Sequence, residues 1–153
     1  MARSRVQLVV RAVLVLAGAL PFISWALSLA DLPPFRSLDA WFGLQCHGLL
    51  DRTLALGGRY FPVCSRCLGI YGGLLGAGLL ALPTHPWVDA RKRRFWIVAA
   101  AAFMVLEVLV QDLSAHPPYH LLRMLTGILL AWPIALTLID AADDSAAGSR
   151  AAR

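Results

Sequence analysis

Four long apolar blocks constrain what this chain can fold into more than any other feature of its sequence. They cover about residues 8–30, 63–82, 95–111 and 121–139. Each is close to the roughly 20 residues that an α-helix needs to cross a bilayer, and the apolar residues run continuously instead of at amphipathic spacing. Only 15% of the residues are charged, whereas soluble domains carry about 25%. The sequence therefore predicts an all-α, polytopic membrane bundle of about four transmembrane helices.

The distribution of Arg and Lys predicts the orientation of this bundle. The loop between the first two blocks holds three basic residues and the loop 112–120 holds none. The opposite side carries eight, namely Arg3, Arg5, Arg91, Lys92, Arg93, Arg94, Arg150 and Arg153. Because basic loops are retained in the cytoplasm, we expect a multi-pass protein of the bacterial inner (cytoplasmic) membrane with both termini cytoplasmic. Residues 1–140 are predicted to form one membrane domain, and 141–153 a disordered cytoplasmic tail.

The positive net charge of +5 does not indicate a nucleic-acid partner. Its basic residues are distributed along the chain and are not gathered on one face or one helix. The lipid bilayer is the partner that the sequence predicts. A homo-oligomeric state and a redox or metal-exchanging partner stay open.

A pattern of cysteine and histidine indicates chemistry. Cys46 and His47 are adjacent, and Cys64 and Cys67 follow at the start of the second block. Two cysteines three residues apart on a helix share a face, so their sulfur atoms can meet on one metal ion or form a disulfide. The predicted orientation puts all four residues at the outer membrane face. We therefore predict a metal site of Cys46, His47, Cys64 and Cys67 that holds zinc, or alternatively copper or iron.

Three other interpretations remain open. Each cysteine can be a small apolar residue of a membrane helix. Cys64 and Cys67 can instead form a redox dithiol with Cys46 as the resolving thiol. A membrane enzyme acting on a lipid-type substrate would use Glu107 and Arg123, which can equally be a structural ion pair. Whether the protein is an enzyme, and through which catalytic residues, stays open.

Polar residues near the apolar blocks are secondary candidates, because burying an ionisable group in a membrane helix is costly. Glu107 and Gln111 are four residues apart and share a helical face, and Arg123 is a candidate charge partner of Glu107 or Asp112. Arg66 adds positive charge between the paired cysteines. The two histidines of the third loop are equally explained as exposed loop residues. The full set is Arg66, Tyr71, Glu107, Gln111, Asp112, His116, His120, Arg123 and Thr126.

The second block is rich in glycine at helical spacing. It contains Gly69-x-x-x-Gly73 and Gly72-x-x-x-Gly76. Small residues at this spacing let helix backbones approach closely. The pattern predicts that the second helix is the central and most tightly packed one.

A string of residues around the cysteines resembles a known family. Cys46-His47, then P-V-C-S-R-C-L-G-I-Y-G from Pro62 to Gly72, and L-R-M-L-T-G from Leu122 to Gly127 are similar to the signature of domain of unknown function 2085, a family of small prokaryotic membrane proteins. The resemblance covers roughly residues 44–130. It implies the membrane topology and no particular biochemistry. It marks as positions to test Cys46, His47, Cys64, Arg66, Cys67, Tyr71, Arg123 and Thr126.

Overall fold

The computed structural model describes residues 5–80, 90–114 and 119–151. The candidate His116 and the side chain of Asp112 lie outside the described residues. The elements are α1 (Arg5–Leu29), α2 (Pro34–Gly43), a 3₁₀ helix (Leu50–Arg52), β1 (Ala55–Leu56), β2 (Arg59–Tyr60), α3 (Ser65–Leu80), α4 (Ala90–Ser114) and α5 (His120–Ala151).

Helices α1, α4 and α5 each contain a segment long and apolar enough to cross a bilayer. These segments are Arg5–Leu29, Arg91–Gln111 and His120–Ala142. Helix α3 is apolar but shorter, with 16 residues between Ser65 and Leu80. The prediction of a helical membrane protein is confirmed by these helices. Helix α5 continues to Ala151, whereas the sequence predicts a disordered tail after residue 140.

Helix α3 packs between α1 and α5. A Cβ atom at Gly18 of α1 would lie 2.5 Å from the backbone nitrogen of Leu75, and one at Gly73 would lie 2.8 Å from Ala131 Cβ of α5. Real Cβ atoms do not approach that closely, so these glycines are required by the helix spacing. The predicted central position of this helix is therefore confirmed.

The helix contacts also fix the relative directions of the chain. Along α3, Gly69 meets Met124 and Gly76 meets Trp132, so α3 and α5 run parallel. Glu107 and Arg93 of α4 pair with Arg123 and Asp140 of α5 respectively, so these two helices run antiparallel. The amino ends of α3 and α5 therefore lie beside the carboxyl end of α4. We call this side of the bundle the cysteine end.

The segment between α1 and α3 is folded over the cysteine end. Strands β1 and β2 form an antiparallel hairpin in which Leu56 pairs with Arg59. The two turn residues, Gly57 and Gly58, have φ values of 63° and 77°, a left-handed conformation that favours glycine and matches the twist of a two-residue hairpin. The hairpin leads into Phe61, whose ring stacks on Trp25 of α1 with 5.1 Å between centroids. This contact anchors the segment to the bundle.

Candidate metal centre

Three cysteines from two distant parts of the chain meet at the cysteine end. The sulfur atoms of Cys46, Cys64 and Cys67 all lie within 4.8 Å of one another, and all three thiols are free. Cys46 follows α2, Cys64 immediately precedes α3 and Cys67 lies in the first turn of α3. The structure therefore brings these three cysteines together, as the sequence predicts.

Local backbone hydrogen bonds place each cysteine. The amide of Cys46 donates to the carbonyl oxygen of Phe42 at 2.9 Å, which continues the last turn of α2. The carbonyl oxygen of Cys64 accepts the first helical bond of α3, from the amide of Leu68 at 2.9 Å. The amide of Cys64 in turn donates to Cys46 Sγ at 3.3 Å. This bond ties the two segments together and directs a donor at the sulfur, which stabilises negative charge there.

Apolar packing supports the sulfur atoms from the side of the bundle. A buried cluster surrounds them, and Phe42 in it is fully shielded from solvent. Tyr71 closes one side of this cluster, with its ring edge-on to Phe42 at 5.7 Å between centroids. Its hydroxyl donates to Gln45 Oε1 at 2.7 Å. Tyr71, a secondary candidate from the sequence, therefore connects α3 to the segment that follows α2.

The amino end of α3 favours a thiolate at Cys64. The Cys67 thiol is hydrogen-bonded to Cys64, and together with the backbone amides of Cys67 and Arg66 it lowers the pKa of Cys64 to about 5, although burial opposes this shift. Free amides and the helix dipole at a helix start act in the same direction. Thiolate is the form of cysteine that binds metal ions and attacks disulfides.

The spacing of the three sulfur atoms fits a single metal ion. With metal–sulfur bonds of about 2.3 Å, the sulfurs of a thiolate site are about 3.8 Å apart in tetrahedral and about 4.0 Å apart in trigonal geometry. An upper limit of 4.8 Å requires only small side-chain adjustments to reach either arrangement. The donor set is soft, which suits zinc and copper(I).

His47 is adjacent to this group in the chain but is not one of its members. The group of neighbouring ligand atoms consists of the three cysteines, and the His47 side chain is exposed. Its role as the fourth ligand stays a prediction. His120, at the start of α5, is partly buried, and its Nδ1 atom has no hydrogen-bond partner among the described residues.

A buried polar cluster lies next to the cysteines, between α3, α4 and α5. The guanidinium group of Arg66 pairs with Glu107 Oε2. Arg123 Nε donates to Gln111 Oε1 at 2.6 Å and lies 3.6 Å from Glu107 Oε1. The side chains of Glu107 and Arg123 are only 2% and 3% exposed. We refer to Arg66, Glu107, Gln111 and Arg123 as the polar cluster.

The polar cluster confirms one prediction and adds a partner that the sequence did not identify. Arg123 is near Glu107, as its place in the fourth block indicates. The ion pair between Glu107 and Arg66 was not predicted. A buried carboxylate is costly without a charged partner, so a partner of this kind was to be expected. Thr126 is buried, and its hydroxyl donates to the carbonyl oxygen of Arg123 at 2.9 Å. This bond lies within α5. Among the described contacts, Thr126 therefore has no direct bond to the cysteines or to the charged groups of the polar cluster.

Comparison with known proteins places these residues within one family. Residues 46–137 match the family described as predicted membrane protein, DUF2085. The chain is 26% identical over 104 residues to the uncharacterized protein MJ1492 of Methanocaldococcus jannaschii, an alignment that covers 67% of this chain and 66% of that protein. It is 61% identical over 32 residues to an uncharacterized protein of Methanothermobacter thermautotrophicus, covering 21% of this chain and 29% of the other. The chain thus spans about two thirds or less of the length of these relatives.

No solved structure matches the chain. The matched region of the family nevertheless includes all three cysteines and the whole polar cluster. The chain belongs to the DUF2085 family of membrane proteins.

Proposed function

We propose that this protein is an integral membrane metal-binding protein that holds one ion through Cys46, Cys64 and Cys67 at the outer face of the membrane. The observation that carries the proposal is the meeting of three free sulfur atoms within 4.8 Å. Zinc fits the donor set first, then copper(I), with iron as a further alternative. Helix packing does not require three sulfur atoms from two chain segments to meet at one point, whereas the coordination of a single metal ion does.

The fourth coordination position decides what such an ion does. If His47 rotates inward, the site is a closed Cys3His centre that stabilises the fold. If the position is taken by water or substrate, the ion is available for exchange or hydrolysis. Replacing His47 by Ala separates the two cases, because loss of a ligand lowers the affinity and opens the coordination shell to a competing small ligand.

We infer that α3 crosses the membrane together with the other three long helices. At about 1.5 Å per residue its 16 residues extend roughly 24 Å, somewhat less than a hydrocarbon core of about 30 Å. Its contacts with α1 extend from Gly18 to the region of Arg11 and Gly78. Helix α3 begins at the cysteine end, and α4 begins at the opposite end of the bundle. The simplest path for the chain therefore has α3 crossing once, which gives an even number of crossings.

The outward orientation of the cysteine end follows from the positive-inside rule. The two named relatives are archaeal, so the family supports a membrane location, and the inner membrane of a bacterium is part of the proposal. An impermeant maleimide added to intact cells, after a chelator has removed bound metal, is expected to label the partly exposed thiols of Cys64 and Cys67. Labelling only after the membrane is opened would reverse the orientation.

Metal analysis of the purified protein tests the central proposal. The protein in detergent is expected to contain about one ion per chain, and a variant with all three cysteines changed to Ser is expected to contain almost none. Met124→Leu is the matched control, because Met124 packs against the same cluster and offers a different sulfur atom. Equal metal content in the wild type and the triple variant would refute the proposal.

A second function is supported by the hydrogen bond between Cys67 and Cys64 and by the lowered pKa of Cys64. This arrangement is typical of a redox dithiol at a helix start. The dithiol would lose two electrons and two protons to an oxidant such as a quinone or another disulfide when the Cys64–Cys67 bond forms. Alkylation after acid quenching measures it: a disulfide that changes with growth conditions supports redox cycling, and thiols that remain alkylatable under oxidising conditions exclude it.

A further inference from the structure

Among the side chains that the structure describes, the polar cluster has one more positive than negative charge and lies close to the cysteines. Among its described side chains, Arg66 and Arg123 are two guanidinium groups and Glu107 is one carboxylate, which leaves one net positive charge. Gln111 accepts a hydrogen bond from Arg123 but is neutral. A net charge held inside an apolar helical bundle is costly unless a counter-charge lies nearby.

The cysteine group is placed to supply that counter-charge. Arg66 occupies the position between the two cysteines of α3, and Arg123 precedes Met124, which packs against the cluster containing the cysteines. Arg52 also lies near this end of the bundle, because its carbonyl oxygen accepts a hydrogen bond from Ser65 Oγ at 3.2 Å. Arg52 has its own carboxylate neighbour, Asp51, at 3.9 Å, and both side chains are partly exposed, so solvent screens the charge of this pair.

We propose that the polar cluster is the counter-charge of the metal–thiolate complex and shifts the selectivity of the cysteine site from zinc(II) toward copper(I), the ion that leaves the more negative complex. This inference rests on the proposed metal centre. Three thiolates and a divalent ion carry one negative charge, which the cluster balances. The same thiolates with copper(I) carry two negative charges, so the positive cluster attracts this complex more strongly.

The proposal makes a prediction about selectivity that a purely structural role does not make. Binding copper(I) places one more negative charge at the site than binding zinc(II), whatever the protonation of the free thiols. Removing a positive charge from the cluster therefore weakens copper(I) binding more than zinc(II) binding, and removing the negative charge does the reverse. At about 10 Å and an effective dielectric constant of about 20, one charge changes an affinity by on the order of tenfold.

The test measures zinc(II) and copper(I) affinities of the full chain in detergent by competition with chelators. Arg123→Gln is expected to raise the ratio of zinc(II) to copper(I) affinity by about tenfold, and Glu107→Gln to lower it by a similar factor. Arg123→Lys keeps the charge while changing the hydrogen bond to Gln111, and is expected to retain the wild-type ratio. Arg66→Gln serves as a second charge-removing variant if Arg123→Gln does not fold.

The outcomes separate the inference from the proposal on which it rests. A wild-type chain that binds zinc(II), with a selectivity ratio that is the same in the Gln variants of Arg123 and Glu107, overturns the inference and leaves the metal centre intact. Equal weakening of both ions shows that the cluster acts only through the fold, and it overturns the inference as well. A wild-type chain that binds neither ion overturns both.

Discussion

Replacing Glu107 by Gln should destabilise the bundle by several kcal/mol, because it removes a buried charge without changing the shape of the side chain. The Glu107 carboxylate is 2% exposed and lies between Arg66 of α3 and Arg123 of α5. Glutamine has nearly the same volume, so no cavity forms. What remains is a pair of guanidinium groups that have lost the carboxylate they shared.

Breaking a buried ion pair by removing one partner costs about 3–5 kcal/mol, since the other charge is left uncompensated. The Glu107→Gln variant should therefore lose about 3 kcal/mol or more of its free energy of unfolding. Helices α3, α4 and α5 all contribute to this cluster, so the loss should appear in the global unfolding of the bundle. A reversible titration with sodium dodecyl sulfate in mixed micelles, followed by circular dichroism, measures it.

The matched control is the ion pair between Arg59 and Asp31. Its two atoms are 3.5 Å apart, and the side chains are 48% and 72% exposed, so Arg59→Gln should cost about 0–1 kcal/mol. The double variant Glu107→Gln/Arg123→Gln should recover part of the loss of Glu107→Gln alone, because it removes one of the two stranded charges. A Glu107→Gln variant as stable as Arg59→Gln would refute the buried-charge argument.

Three other substitutions test the packing around the candidate site by the same unfolding titration. Gly127→Ala should cost about 1–3 kcal/mol or more, because its Cβ would overlap a backbone oxygen of α3, while Gly43→Ala, which meets nothing within 4 Å, should leave stability unchanged or slightly higher. Tyr71→Phe should lose about 0.5–1.5 kcal/mol with its hydrogen bond to Gln45, and full stability would show that water replaces the bond. Phe42→Ala should cost about 3–5 kcal/mol and also weaken metal binding, since Phe42 supports Cys46; unchanged stability would contradict its place in the core.

The helices of this protein were largely predictable from the sequence because continuous apolar runs of membrane length leave few alternatives. The first block, 8–30, corresponds to α1 at Arg5–Leu29, and the third, 95–111, lies within α4. The meeting of the cysteines was also predictable. A C-x2-C spacing at a helix start fixes two sulfurs on one face, and the charge distribution placed Cys46 on the same side.

The segment between α1 and α3 was not predicted, although it carried recognisable signals. Gly57-Gly58 between two short runs is typical of a two-residue hairpin, and the prolines at 33 and 34 mark a helix start. These signals are local and short, whereas the apolar blocks dominate the chain. The missed structure is what brings Phe42 and Phe61 over the sulfurs.

The partner of Glu107 was predicted incompletely because a sequence does not state which helices are neighbours. Arg123 was predicted as a partner of Glu107 because of its depth in the membrane. Arg66 was considered only as a neighbour of the cysteines, so its ion pair with Glu107 was not predicted. The structure shows that the two arginines share one carboxylate. Their common partner depends on how closely α3 approaches α5, and side-chain periodicity alone does not give that distance.

Close helix packing and the candidate chemistry at the cysteine end share a cause. Gly69 of α3 lies against the backbone of Met124, and Gly127 of α5 lies against the backbone of Arg66. Each glycine therefore faces a residue that belongs to, or contacts, the cysteine group or the polar cluster. A methyl group at either position would move the cysteines of α3 away from Arg123 as well as loosen the bundle. Gly69, which the sequence pattern assigns to close helix packing, and Gly127 thus also set the distance between the thiolates and their proposed counter-charge.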